Sequence, residues 1–152
     1  MAERLALPFM DFDAEIERRT GRSVSAIIRT DGEAAFRELE YNLTAELASA
    51  RPAVLAPGGG WVTRPDTVAL LRPSAKLVHL KLSPEAAIRR LGSARLARPL
   101  LDGNEPLAQI TALEVARRAA YAGADWVVDT ELLTVQRVIG IIVELVSADR
   151  AG

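Results

Sequence analysis

Short apolar runs alternate along this chain with longer segments in which apolar residues recur at helical spacing. The clearest helical spacing places Phe36, Leu39, Leu43 and Leu47 on one face of a single long helix. The same pattern predicts helices at 2–6, 14–19, 23–30, 33–50, 64–71, 84–91, 109–121 and 133–146. Ser23 and Ser83 are predicted to cap the third and the sixth of these helices. The apolar runs predict strands at 8–12, 53–56, 76–82 and 126–129.

Strands that alternate with helices are typical of an α/β fold, with a three-layer parallel sheet covered by helices on both faces. We therefore predict one domain over 1–152. Such sheets bind ligands at the carboxyl ends of their strands. Asp11 and Asp13 lie at that end of the first strand, and Gly58, Gly59 and Gly60 follow the second.

The amino-acid composition excludes several kinds of partner and active site. The formal net charge of −1 gives no reason to expect nucleic acid or an acidic membrane as a partner. The absence of cysteine excludes disulfides and thiolate chemistry, and the single histidine, His79, excludes a histidine metal cluster. No apolar run approaches the ~20 residues of a membrane span, and the first residues lack a signal-peptide pattern. We expect a cytoplasmic monomer.

Two pairs of charged residues are candidates for substrate contacts. Asp11 and Asp13 have strand spacing, so they could point the same way and hold Mg²⁺ or orient a hydroxyl. The alternative is that Asp13 caps the helix that follows. Arg37 and Glu40 lie three residues apart on a helix, where Glu40 could fix the guanidinium so that it grips a carboxylate. The alternative is an ordinary surface salt bridge.

The glycine run and two further arginines complete the candidates. Gly58–Gly60 would let backbone N–H groups approach an anion or polyol, although a tight turn with positive φ is the alternative. Arg98 lies in the loop 92–106, which is rich in Gly, Pro and Arg and could close as a mobile lid over a charged transition state. Arg117 lies on a helix and could grip an anion. Each arginine could equally be solvated.

The order of these motifs points to a family. The series PFMDFDAEIERRTGRSVSAII, DGEAAFRELE, VLAPGGGWV, RPLL, RRAAY and VDT resembles shikimate kinase over nearly the whole chain. The resemblance implies a P-loop nucleoside-kinase fold. It also implies transfer of the γ-phosphoryl group of ATP to the 3-hydroxyl of shikimate, a step in the synthesis of chorismate and aromatic amino acids.

The resemblance also implies roles on the substrate side. Asp13 would bind the shikimate hydroxyls and help to activate the nucleophile. Arg37 and Arg117 would grip the shikimate carboxylate, and Glu40 would orient Arg37. The glycines Gly58, Gly59 and Gly60 would let the backbone approach the substrate.

On the nucleotide side, the resemblance implies that Arg98 reaches the phosphates of ATP from the lid and that Arg90 lies near the adenine. Asp11 would lie near Mg²⁺ and act through water. ATP and Mg²⁺ are therefore the expected cofactors, and shikimate is the expected small-molecule partner.

One part of the resemblance is missing. A P-loop kinase needs G-x-x-x-x-G-K-[ST], and this sequence contains no Gly-Lys pair. In this fold the strand before that loop lies centrally in the sheet, so we expect an interior gap without it. We expect the natural start to lie upstream of Met1, and the chain as written to bind ATP poorly and turn over little. The alternatives are a rearranged chain that senses a small acid and another small-molecule kinase, such as a gluconate-type kinase.

Overall fold

The helices and strands follow the predicted order. The computed structural model describes residues 1–72, 74–92 and 105–151. Within them, the helices are α1 (Ala2–Leu5), α2 (Phe12–Thr20), α3 (Val24–Asp31), α4 (Glu33–Leu47), α5 (Pro65–Leu71), α6 (Pro84–Leu91), α7 (Pro106–Tyr121) and α8 (Val135–Ala151). The strands are β1 (Phe9–Asp11), β2 (Val54–Ala56), β3 (Val78–Lys81) and β4 (Trp126–Asp129), and a 3₁₀ turn at Trp61–Thr63 follows β2.

Helix starts follow the local capping chemistry. The Ser23 hydroxyl accepts a hydrogen bond from the Ala26 N–H at 3.2 Å, and the Ser83 hydroxyl accepts one from the Ala86 N–H at 3.1 Å. These bonds satisfy N–H groups that have no partner within the first turn of a helix. Pro84 occupies the first turn of α6, where its missing N–H costs nothing. Both predicted caps are confirmed.

The start of α2 differs from the prediction. The helix begins at Phe12, and its cap is Asp11, whose Oδ1 accepts a hydrogen bond from the Ala14 N–H at 3.0 Å. Asp13 lies inside the first turn, so the alternative in which it caps the helix is wrong. The prediction that Asp11 and Asp13 share a strand face is also wrong, because the backbone turns from strand to helix between them.

The strands form two separate parallel pairs. β1 lies beside β2, with Met10 opposite Leu55, and β3 lies beside β4, with His79 opposite Val127. Within the described ranges, no strand ladder joins the first pair to the second. The four described strands therefore do not form one continuous sheet, which agrees with the expected interior gap.

The main core packs helices against the first pair of strands. Its fully buried apolar side chains are Phe12, Ile16, Ile27, Phe36, Leu43 and Trp61. The predicted stripe on α4 lies at this core, where Leu39 and Leu47 pack around the buried pair Phe36 and Leu43. Because α4 and the 3₁₀ turn share this core, the residues on α4 are held close to the glycine run.

None of the helices in the described part of the chain is long and apolar enough to cross a membrane.

Candidate active site

The run Gly58–Gly60 follows β2 and leads into the 3₁₀ turn. The Trp61 N–H donates to the Gly58 carbonyl at 3.0 Å, and the Thr63 N–H donates to the Gly60 carbonyl at 3.1 Å. None of the three glycines has a positive φ, so conformational freedom does not explain them and the positive-φ alternative is wrong. What they provide is space, because each lies against a charged or polar side chain from another element.

Four of the five neighbours of the three glycines are predicted site residues, and the fifth is Tyr121. A methyl group on Gly58 would lie 3.6 Å from both Asp13 Oδ1 and Glu40 Oε1. One on Gly59 would lie 3.3 Å from Arg117 Nη1, and one on Gly60 would overlap the Arg37 guanidinium. The three glycines therefore bring together two carboxylates and two guanidinium groups that the sequence scatters from 13 to 117. We call these seven residues the glycine-turn cluster.

Arg37 is held in place by two carboxylates. Its Nη1 donates to Glu40 Oε2 at 2.5 Å, and its Nη2 donates to Glu33 Oε1 at 2.7 Å. Burial by itself lowers the pKa of Arg37, but the hydrogen bonds and charges of Glu40 and Glu33 outweigh it and raise the pKa above its ordinary value. The predicted pair of Arg37 with Glu40 is confirmed, and the alternative of a surface salt bridge is wrong because Glu40 is only 1% exposed.

Glu40 is the buried carboxylate of the cluster. Its Oε1 has no hydrogen-bond partner among the described residues, and it faces the backbone at Gly58. Burial raises the pKa of Glu40 above its ordinary value, while the Arg37 guanidinium works in the opposite direction without cancelling the effect. A buried acceptor without a partner costs free energy in the absence of a ligand. A hydroxyl or a water at Gly58 would relieve that cost.

Arg117 enters the cluster from α7 together with Tyr121, one helical turn later. The Tyr121 hydroxyl donates to the Gly59 carbonyl at 2.8 Å, and its ring stacks on His79 at 4.4 Å between centroids. His79 is therefore a packed residue on β3, as expected. Arg118 points elsewhere, since it is exposed and pairs with Glu114 at 2.9 Å.

Two contacts were not predicted from the sequence. Glu33 binds Arg37 from one turn earlier on α4, and Tyr121 fixes the backbone of the glycine turn. Both lie four residues from a predicted site residue on the same helix, which is the spacing that places side chains on one face. That spacing is the signal that could have found them.

Known proteins are similar to this chain along almost its whole length. The family model for shikimate kinase (SKI) matches residues 1–147. The chain belongs to the shikimate kinase family. A shikimate kinase of Desulforudis audaxviator is 40% identical over 144 residues, which are 95% of this chain and 75% of that protein. One of Moorella thermoacetica is 43% identical over 131 residues, covering 86% of this chain and 75% of that protein.

Solved structures confirm the predicted fold. The shikimate kinase from Acinetobacter baumannii in complex with shikimate has a TM-score of 0.92 and 30% identity, over 99% of this chain and 84% of that one. The shikimate kinase from Bacteroides thetaiotaomicron has a TM-score of 0.84 at 30% identity, over 98% of this chain and 87% of that one. The fold is therefore that of a shikimate kinase. Members of this family are phosphotransferases that use ATP as the phosphoryl donor.

None of the residues predicted for the nucleotide side of the kinase is among the nearest neighbours of the three glycines in the described part of the chain. Arg90 is exposed on α6 and donates to the Thr130 carbonyl at 2.6 Å, against the loop that follows β4. Arg98 and positions 93–104 of the predicted lid lie outside the described residues. Asp11 caps α2. The roles of all three stay predictions.

Proposed function

We propose that this chain is a shikimate kinase that binds shikimate at the glycine-turn cluster for phosphorylation of its 3-hydroxyl in chorismate and aromatic amino acid biosynthesis. The observation that supports the proposal most strongly is the approach of Arg37, Arg117, Asp13 and Glu40 to one three-residue turn. Shikimate is a small acid with three hydroxyls, so its recognition needs a carboxylate clamp and hydroxyl acceptors side by side.

The proposed roles divide the cluster by charge. Arg37 and Arg117 would bind the carboxylate, since guanidinium groups match a carboxylate with two parallel hydrogen bonds. Glu40 would hold Arg37 in the orientation that this requires. Asp13 would accept a hydrogen bond from the reacting hydroxyl and take its proton as the hydroxyl attacks. Phosphoryl transfer depends mainly on positioning and on charge neutralisation, which is what such a cluster supplies.

ATP would supply the γ-phosphoryl group, but the residues present do not fit its phosphates. The motif G-x-x-x-x-G-K-[ST] does not occur in this sequence. The two lysines are engaged elsewhere, Lys76 with Asp149 at 2.7 Å and Lys81 with Asp129 at 3.7 Å. We therefore expect this chain by itself to phosphorylate little or no shikimate.

Magnesium would arrive with the nucleotide. No group of three or more acidic, histidine or cysteine side chains in the described ranges could hold a metal ion. Asp11 uses Oδ1 to cap α2, so it fits a contact through water better than a place in a full coordination sphere.

Two adjacent arginines give a matched test of shikimate binding. Calorimetry should show that the unmodified chain binds shikimate. Arg117→Lys should weaken binding about tenfold or more, because lysine cannot make the paired hydrogen bonds of a guanidinium. Arg118→Lys should leave binding unchanged, since Arg118 faces solvent and Glu114.

The result that would overturn the proposal is an unmodified, folded chain that does not bind shikimate at millimolar concentration. Equal weakening by Arg117→Lys and Arg118→Lys would also contradict the proposed clamp. A substrate panel that includes gluconate separates shikimate from the substrates of other small-molecule kinases.

A further inference from the structure

A buried hydrogen bond joins the glycine turn to α4. The Trp61 Nε1–H donates to the Thr44 hydroxyl at 2.9 Å, and that hydroxyl donates in turn to the Glu40 carbonyl at 2.7 Å. Trp61 is 3% exposed and Thr44 is 0% exposed. Because water does not reach either side chain, the indole N–H depends on Thr44 for its only hydrogen bond.

The hydrogen bond between Trp61 and Thr44 lies next to the glycine-turn cluster. Thr44 lies one helical turn after Glu40 and two turns after Arg37 on α4, so all three lie along one side of the helix. Trp61 follows Gly60, the glycine whose backbone lies against the Arg37 guanidinium. The bond therefore joins α4 to the turn one residue away from the contact between Gly60 and Arg37.

The other end of the 3₁₀ turn is also joined to α4, but at the surface. Arg64 pairs with Glu38 at 2.7 Å and lies over the Tyr41 ring at 4.4 Å. An exposed ion pair contributes little and is screened by salt. Of the two links between the turn and α4, the buried bond between Trp61 and Thr44 is therefore the stronger constraint, while Tyr121 holds the turn from α7.

We propose that Thr44 and Trp61 are positioning residues, whose buried hydrogen bond holds the Gly58–Gly60 turn against Arg37 and Glu40 in the arrangement that binds the substrate carboxylate. This inference rests on the proposed function for its effect on shikimate, but its effect on the turn can be measured without shikimate. Neither side chain touches the substrate in this proposal.

The test compares two threonine substitutions. Thr44→Val keeps the shape but leaves the indole N–H without an acceptor, while Thr44→Ser keeps the hydroxyl. Thr67→Val is the matched control, because Thr67 is equally buried on α5 and its hydroxyl has no partner among the described residues. The readouts are hydrogen exchange of the Trp61 and Thr63 amides, with the α8 amides as the measure of global stability, and shikimate affinity by calorimetry.

We expect Thr44→Val to speed exchange of the Trp61 and Thr63 amides about tenfold relative to α8 and to weaken shikimate binding about tenfold. Thr44→Ser should preserve both quantities, and Thr67→Val should change neither. If Thr44→Val does not fold, Trp61→Phe removes the same bond from the donor side and should give the same two effects.

The outcomes separate this inference from the proposed function. Unchanged exchange at Trp61 and Thr63 in a folded Thr44→Val or Trp61→Phe variant would overturn the inference. Faster exchange with undiminished shikimate affinity would overturn it as well, because the bond would then not serve binding. Faster exchange in a chain that never binds shikimate would support the positioning of the turn and overturn the proposed function instead.

Discussion

At the scale of single residues, Gly60 is required because of what lies beside it. Its φ of −89° suits any residue, yet a methyl group would overlap the Arg37 guanidinium. Arg37 cannot simply move away, because Glu40 and Glu33 hold two of its nitrogens. We therefore expect Gly60→Ala to displace Arg37 and to weaken shikimate binding about tenfold or more.

Gly58→Ala is the natural control for this substitution. A methyl group on Gly58 would lie 3.6 Å from its two nearest neighbours, which is ordinary van der Waals contact. Calorimetry on the two variants should show a much larger loss for Gly60→Ala than for Gly58→Ala. Equal losses would mean that the turn tolerates no side chain at any position, and Arg37 would not be the cause.

At the scale of the elements, an ion-pair network links α2 to α4. Glu15 binds Arg18 at 2.8 Å and Arg19 at 2.7 Å, and Arg19 reaches Glu46 on α4 at 2.8 Å. Hydrogen bonds from Arg18 and Arg19 lower the pKa of Glu15 to about 2 from its ordinary value of 4.5. The network is partly exposed, so salt should screen it.

This pKa shift gives stability a defined dependence on pH. A carboxyl whose pKa is lower in the folded state contributes stability above its unfolded pKa and loses it as the pH falls through the folded pKa. The contribution of Glu15 is therefore complete above pH 4.5 and lost between pH 4.5 and about 2. Thermal melts of Glu15→Gln should lie below those of the unmodified chain at pH 6 and converge with them near pH 2. A difference that does not shrink over that window, or that persists in 1 M salt, would contradict the assignment.

The helix boundaries show how much of the secondary structure could be predicted from the sequence. Helical periodicity located α4, and capping chemistry located the starts of α3 and α6, because both signals are local. Local signals misplaced the start of α2, since Asp11 and Asp13 can both cap a helix and only the tertiary position of β1 decides between them. The start of α8 was also misjudged by two residues and its end by five, because its last turn, 147–151, has no large apolar residue to mark a helical pattern.

All seven residues of the glycine-turn cluster were predicted, most of them through the family resemblance, but the contacts that support the cluster were not. The pair Arg37 and Glu40 lies within one helical turn, so spacing alone revealed it. Tyr121 and Gly59 meet across 62 positions, and the bond from Trp61 to Thr44 spans 17. No periodicity encodes such contacts, because they depend on how separate elements pack.

At the scale of the whole molecule, the described strands form two separate pairs, and the sequence contains no G-x-x-x-x-G-K-[ST] motif. β2 and β3 each pair on one side only among the described residues, and backbone groups along a free strand edge need a partner or water. A parallel strand between the two pairs would satisfy both edges. A phosphate loop after that strand would lie at the carboxyl end of the strand. The glycine turn likewise follows the carboxyl end of β2, so the two would lie at the same edge of the sheet.

We therefore expect an added N-terminal segment, a β-strand followed by G-x-x-x-x-G-K-[ST], to restore the kinase reaction. The fusion should melt at a higher temperature than the unmodified chain. It should also release ADP from ATP only when shikimate is present, whereas the unmodified chain should release none. The matched control changes the added lysine to alanine, which should keep the higher melting temperature and lose the ADP release. A fusion that binds ATP and shikimate without making shikimate 3-phosphate would favour a small-acid-binding domain without catalysis, because the clamp would then serve recognition alone.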